Sequence, residues 1–184
     1  MRELSLHMMD IIENSLGAGA SLIEVSVVEN RKASRLEIRI KDNGRGIPAH
    51  LLKEVTNPFF TTRTTRRVGL GLSLLKEAAK RCNGEFRVQS EEGQGTEVRA
   101  SFERNHIDLA PMGDVGGSLT GLMMGNPDVD FLYTHEVDGR IFRLDTREVK
   151  RELDDVPISH PKVIMHLAEM IRESVAEIQK GTRI

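Results

Sequence analysis

The chain has 184 residues, one cysteine, one tyrosine and no tryptophan, and its 26 basic and 28 acidic side chains leave a formal charge of −2. That length suits one well-buried core with room for a small added module. The balanced charge gives no strong basic field for nucleic acid or an anionic membrane, and the scarce aromatics weaken any base-stacking platform. The lone Cys82 excludes an internal disulfide, a thiolate zinc cluster and a self-contained iron–sulfur site. No apolar run nears the roughly 20 residues of a membrane span. The first residues form an acidic amphipathic segment without a signal-peptide layout, so a reducing cytoplasm is the expected compartment.

Residues 3–18 carry helical periodicity. Leu4, Met8, Ile11, Ile12 and Ser15 form one stripe, and His7, Asp10 and Asn14 form a second. Gly17 and Gly19 end the helix. "LIEVSVVEN" is strand-like, and "RLEIRIKD" alternates cleanly, with Leu36, Ile38, Ile40 and Asp42 on one face. "DNGRGIP" is a loop by composition, and Pro48 is expected to open a short helix over residues 48–55. "NPFFTTRTTRRVG" has no period. "LGLSLLKEAAKRC" is a helix stopped by Asn83-Gly84. "EFRVQSE" and "TEVRASFER" are strands joined by "EGQG"; Thr96, Val98, Ala100 and Phe102 share the inward face of the second.

Composition shifts near residue 105, which predicts two parts, residues 1–104 and 105–184. In the second, Gly113, Gly117, Gly121 and Gly125 recur every four residues. That spacing lets a helix approach another backbone closely, but glycine costs roughly 1 kcal/mol in a helix interior, so a folded loop with helical turns is the competing expectation. "VDFLYTHEV-DG-RIFRLD" is a hairpin with an Asp-Gly turn. Helices over residues 146–153 and 161–180 close the chain. The last has an apolar stripe suited to the core or to a partner.

The residues that carry chemistry sit in the first part. Asn14 offers an amide oxygen, a hard neutral ligand suited to magnesium, which keeps several waters and takes one or two protein ligands plus phosphates. Asp10, one turn earlier, is placed to orient or deprotonate a water or to hold the hydration shell of a metal. Asp42 is an acid aimed inward at a strand end and needs donors; Thr96 faces the same way and is placed to share a bridging water with it. Gly69 and Gly71 precede a helix whose first N–H groups suit phosphate oxygens. Arg63, Arg66 and Arg67 are candidate phosphate partners, each equally well read as a solvated loop charge. His7 lies at the edge of this face or is a packed helix residue. His135, in "HEVDGR", falls in the hairpin.

Three glycine-marked loops, "DNGRGIP", "GLGL" and "GQGT", follow a helix bearing "ENSLGAGAS". In that order they resemble the GHKL superfamily of ATP-binding domains, over residues 3–103. "ENSLGAGAS" is similar to the mismatch-repair and gyrase form of the asparagine box, and "NPFFTTR" with "GLGLSLLKEAAKRCNGEFRVQSEEGQGTEVRASF" to the histidine-kinase form. The resemblance implies an α/β two-layer sandwich, a mixed sheet with helices on one face, with an α+β extension. It implies ATP and Mg2+ as cofactors, with Asn14 on the metal, Asp10 as the catalytic carboxylate and Asp42 accepting from the adenine amino group. Gly44 and Gly46 would let the backbone pass the base and Ile47 would pack on it. Phe60, Arg63, Arg67, Gly69, Leu70, Gly71 and Thr96 complete the nucleotide-contacting set, with a lid over residues 58–68. Two departures stand out: aspartate at position 10 where ATPase members carry glutamate, and Gly17 where a charged residue is frequent.

The expected function is a Mg-ATP-binding, histidine-kinase-like protein that phosphorylates a partner in trans, since no phospho-acceptor hairpin precedes its ATP-binding part. An ATP-hydrolysing conformational switch and a nucleotide-sensing module with little catalysis stay open beside it. The expected partners are ATP and a protein, with no nucleic acid and no membrane, and with association of copies through the C-terminal region.

Overall fold

The computed structural model describes residues 3–55 and 70–181. Its elements run α1 (Leu4–Gly17), β1 (Leu22–Asn30), β2 (Arg35–Asp42), α2 (Leu70–Arg81), β3 (Phe86–Glu91), β4 (Gly95–Glu103), α3 (Val115–Gly125), β5 (Asp130–Val137), β6 (Arg140–Asp145), α4 (Thr146–Leu153) and α5 (Pro161–Lys180). One six-stranded sheet has the order β3-β4-β2-β1-β5-β6. Every neighbouring pair is antiparallel except β1 with β5. A parallel neighbour needs a crossover, and the chain leaving β4 carries α3 on its way to β5.

The alternation in the strands decides which face is covered. Ile23, Val25 and Val27 of β1 register with Asp42, Ile40 and Ile38 of β2 and with Phe131, Tyr133 and His135 of β5. All of these are buried. The intervening positions put Glu24, Arg39, Glu97 and Arg99 on the other face, joined in ion pairs. Sheet and helices form a two-layer α/β sandwich, as the resemblance implies. Large side chains such as Ile12, Ile23, Phe102, Phe131 and Tyr133 are almost fully enclosed, each worth about 1.5–3 kcal/mol of apolar burial.

The second part of the chain extends this same sheet, with β5 lying beside β1 over Leu22–Glu29. It also finishes α1. Glu3 makes no side-chain cap there; instead the first helical amides, Leu4 and Ser5, donate to the carbonyls of Pro111 and Met112. Residues 115–125 form a regular α-helix despite their glycines. Asp114 accepts from the Gly117 N–H as its cap, and Leu119 and Met123 are buried. The close backbone approach occurs at Gly116, where a Cβ would lie 2.8 Å from the Ala168 carbonyl of α5. Gly121 and Gly125 face open space.

Residues 48–55 do not form the expected helix. Their bonds run from Leu51 N to Pro48 O, Leu52 N to Ala49 O, Glu54 N to Leu51 O and Val55 N to Leu51 O, successive turns closed by a single helical-type bond at the end. Eight residues with few buried side chains do not repay helix nucleation. The Asp138-Gly139 turn, with φ of 50° and 86°, closes the expected hairpin, and Asn83 at φ 53° ends α2.

Candidate functional site

The site is built where the C-terminal half of α1 meets the end of β2 and the β3–β4 hairpin. Asp42 is its centre and is 6% exposed. The Ser15 hydroxyl donates to Oδ2 at 2.6 Å. The backbone N–H groups of Gly44 and Thr96 donate to Oδ1 at 2.9 and 3.3 Å. An ionised carboxylate has about four acceptor positions. Three are used, and the remaining one lies on Oδ2. A buried carboxylate with one open position fits a ligand that donates a single N–H, such as an exocyclic amine.

The loop after Asp42 is held at three points. Arg45 N–H donates to the Ala18 carbonyl, and Gly93 N–H donates to the Arg45 carbonyl. Ile47 N–H donates to the Ser90 hydroxyl at 2.8 Å. That hydroxyl also donates to the Gly95 carbonyl and lies 2.8 Å from Thr96 Oγ1. Ser90 therefore ties Ile47 to Thr96 across the hairpin. Gly46 sits at φ +70°, and a Cβ there would lie 2.0 Å from the Glu91 carbonyl. Only glycine allows the loop to pass the hairpin this closely. Gly44 approaches the Ala18 side chain in the same way.

Asp10 and Asn14 occupy the face of α1 turned from the sheet; Asp10 is half-buried and Asn14 exposed. Gly71, in the first turn of α2, packs against Asp10, where a Cβ would lie 2.9 Å from the Asp10 Cβ. The opening of α2 is thus held against the carboxylate-bearing turn of α1. Leu70, the first residue of α2, is exposed. Phe60, Arg63, Arg67 and Gly69, with Arg66, lie outside the described residues. The oxygen donors of Asn14 and Asp10 are the hard type that magnesium takes, so the donor set fits that ion.

His7 continues the same face toward the start of α1. It is 4% exposed and its Nδ1 has no hydrogen-bond partner. Burial holds its imidazole below the usual histidine range, which keeps it neutral at pH 7.

The sequence reading did not single out Ser15, Ser90 or Asn43. Ser15 was visible only as a small member of the sheet-facing stripe. A serine and an aspartate that both point inward should pair, and that was the available signal. Asn43 accepts from the Ser21 and Leu22 N–H groups and fixes the start of β1. Ser90 gives no signal without the hairpin register.

A second buried polar cluster lies about 20 Å along β1, six residues from the Asp42 pairing. Glu29 Oε1 is 3.0 Å from His135 Nε2 and accepts from Gln179 at 3.1 Å, while Arg104 Nε donates to Oε2 at 3.2 Å. His135 Nδ1 is 2.7 Å from the Tyr133 hydroxyl. Burial alone pushes the Glu29 carboxyl up, but the bonds from His135, Gln179 and Arg104 outweigh it and hold it at about 2. The Tyr133 hydroxyl is raised by burial and by the Glu29 charge. His135 is fully enclosed and serves this cluster.

A mixed sheet with helices on one face, an inward acid at the end of β2 and glycine loops on either side are the arrangement that the sequence resemblance implies for an ATP-binding domain. The sequence pattern of the "Histidine kinase-, DNA gyrase B-, and HSP90-like ATPase" family matches residues 2–106, more than half of the chain. The chain belongs to this family. Sensor protein kinase WalK of Staphylococcus haemolyticus is 35% identical over 106 residues, covering 54% of this chain and 17% of the kinase. The WalK of Staphylococcus aureus is 35% identical over 96 residues, covering 48% of this chain and 23% of that protein. The chain thus spans about one sixth of the length of the first of these relatives. The crystal structure of the N-terminal domain of a DNA repair protein has the same fold, with a TM-score of 0.59 at 16% identity over 79% of this chain and 53% of that one. The likeness extends beyond residue 106, so the fold relation reaches past the family match. Residues 2–106 are a histidine-kinase-like ATPase domain. No helix among the described residues is long and apolar enough to cross a membrane.

Proposed function

We propose that the chain binds Mg-ATP and transfers its terminal phosphoryl group to a partner protein. The observation that carries this reading is the Asp42 carboxylate, fixed by Ser15, Gly44 and Thr96 with one acceptor position left. In this reading Asp42 takes the adenine amine and Ile47 lies on the base. Asn14 holds the metal, which would neutralise charge on the phosphates when bound. Asp10 receives the proton of the attacking group. Gly71 keeps the α2 N-terminus against that carboxylate, where its N–H groups meet phosphate oxygens. Phe60, Arg63, Arg67, Gly69, Leu70 and Thr96 belong to the same proposed set.

Transfer to a partner is favoured by the sequence relatives, which are named as sensor protein kinases. Among the described residues, the histidine of "HEVDGR" is enclosed in the Glu29 cluster and is not available as an acceptor. Hydrolysis is the second reading. It is favoured by the carboxylate at position 10, held against the start of α2. All proposed nucleotide contacts fall in residues 1–104, and residues 105–184 are proposed to govern partner choice or association of copies. The proposed setting is the cytoplasm.

The test uses the full chain with γ-labelled ATP and magnesium, with and without cell lysate. Label on a lysate protein supports transfer, and free phosphate from the purified chain alone supports hydrolysis. Neither product, together with no binding heat, would overturn both readings.

A further inference from the structure

We propose that His7 is a positioning residue for the reacting end of the nucleotide site, its Nδ1 taking up a water shared with the Asp10 carboxylate once nucleotide is bound. The proposal rests on the nucleotide-site reading above and adds to it a residue that the reading does not use.

The starting observation is an unmade bond. Among the described residues, His7 Nδ1 is the buried side-chain nitrogen or oxygen that has no partner. Buried polar groups are nearly always paired, because leaving one unpaired carries its full desolvation cost. A leucine or methionine at this point would pack against the same neighbours without that cost. The fold therefore keeps an imidazole where an apolar side chain would serve structure better.

Its position says what the imidazole is for. His7 precedes Asp10 by three residues and Asn14 by seven, so the three share one side of α1. Leu4, Met8, Ile11 and Ser15 turn to the core. The His7 side leads to the turn where Gly71 of α2 meets Asp10. The base-holding residue Asp42 is bonded from Ser15, at the other end of the helix. His7 thus extends the polar stripe past Asp10, on the side away from the base.

Burial keeps the ring neutral, so one ring nitrogen carries a lone pair and the other a hydrogen. With Nε2–H as the tautomer, Nδ1 accepts from a water whose second hydrogen points to the Asp10 carboxylate. That bond fixes the direction of the carboxylate that receives the nucleophile's proton. No bond to carbon or phosphorus changes at His7; it acts through Asp10.

The test is direct. The full chain, 15N-labelled at histidine, is titrated with magnesium and a non-hydrolysable ATP analogue, and the His7 resonance is assigned with His7→Asn. The expected result is a move of Nδ1 to a hydrogen-bonded position, with the same midpoint as the binding heat. His7→Leu should fold, bind the analogue within about twofold of the parent and lose roughly tenfold or more in kcat, as misplacement of a reacting group does. His7→Asn, whose amide falls near the place of Nδ1, should recover most of the loss. A normal binding heat with an unmoved His7 resonance overturns this proposal alone, as does His7→Leu with unchanged kcat. Absence of any binding heat from the parent chain overturns the nucleotide-site reading and this proposal with it.

Discussion

The Ser15 hydroxyl meets Asp42 Oδ2 at 2.6 Å, joining α1 to the end of β2 inside the core. This bond ties the helix to the acid proposed to take the adenine amine. Ser15→Ala removes a donor from a buried carboxylate, and hydrogen bonds to charged groups contribute about 1.5–3 kcal/mol. The variant is expected to lose thermal stability and to bind ATP more weakly. Asp42→Asn is expected to weaken ATP binding by about 1–3 kcal/mol, because the amide presents the wrong hydrogen-bonding pattern to the adenine amine. Calorimetry with ATP and GTP is the measurement. Equal affinity of the parent chain for both nucleotides would remove Asp42 from the recognition role.

The same helix shows how much of the site could be read from residues alone. The second stripe of α1 placed Asp10 and Asn14 together, and the alternation of β2 placed Asp42 inward. Both are local periods, and local periods survive folding. The bonds that hold the site are non-local. Ser15 to Asp42 spans 27 residues and Ile47 to Ser90 spans 43, so neither is implied by any spacing. The parallel pairing of β1 with β5 has the same character, since two strands of similar alternation do not announce who is next to whom. The helix over Val115–Gly125 was legible only in part, because glycine propensity argues against it. The Asp114 cap and the contact of Gly116 with α5 decide for it.

Gly46 gives a second prediction. Its φ of +70° lies where side chains are rarely tolerated, and an added methyl would run into the Glu91 carbonyl. Gly46→Ala must either strain the backbone or move the loop off the hairpin, at a cost of about 1–3 kcal/mol. The loop carries Ile47 and follows Asp42, so nucleotide affinity should fall with stability. Thermal melts and binding heats on the variant check this. A variant that melts and binds like the parent would show that the loop does not need this contact.

The Glu29 cluster gives a pH dependence with a defined sign. Its carboxyl is held at about 2 in the folded chain against 4.5 for the free group. A depressed folded pKa adds stability that is fully present above the unfolded value. That stability is lost as pH falls from about 4.5 toward about 2. The difference corresponds to about 3 kcal/mol. Urea unfolding between pH 2.5 and 7 should show stability dropping through this window, and Glu29→Gln should flatten the drop while lowering stability at pH 7. Since the cluster joins β1 and β5 with Gln179 of α5, its loss should loosen the C-terminal helix first. Hydrogen exchange along Pro161–Lys180 would report that. An unchanged acid limb in Glu29→Gln would place the acid sensitivity elsewhere.

Asp10 and Asn14 are expected to separate binding from chemistry. They lie one turn apart on α1, with Gly71 fixing α2 against Asp10. Asn14 is exposed and makes no contribution to the core, so Asn14→Ala should fold like the parent and lose the magnesium-dependent part of ATP affinity. Asp10→Asn keeps the size of the side chain and removes its basicity. It should bind Mg-ATP nearly as well and cut transfer or hydrolysis by about 10²–10⁴-fold, the usual worth of a positioned general base. Aspartate is one carbon shorter than glutamate, so Asp10→Glu tests whether the base is placed for its own side-chain length. A gain in phosphate release would mean that the shorter acid restrains hydrolysis in favour of transfer. The decisive comparison is the pair of ratios, binding and turnover, measured on the same preparations. If Asp10→Asn turns ATP over at the parent rate and Asn14→Ala still binds Mg-ATP at the parent affinity, the outward face of α1 carries no chemistry.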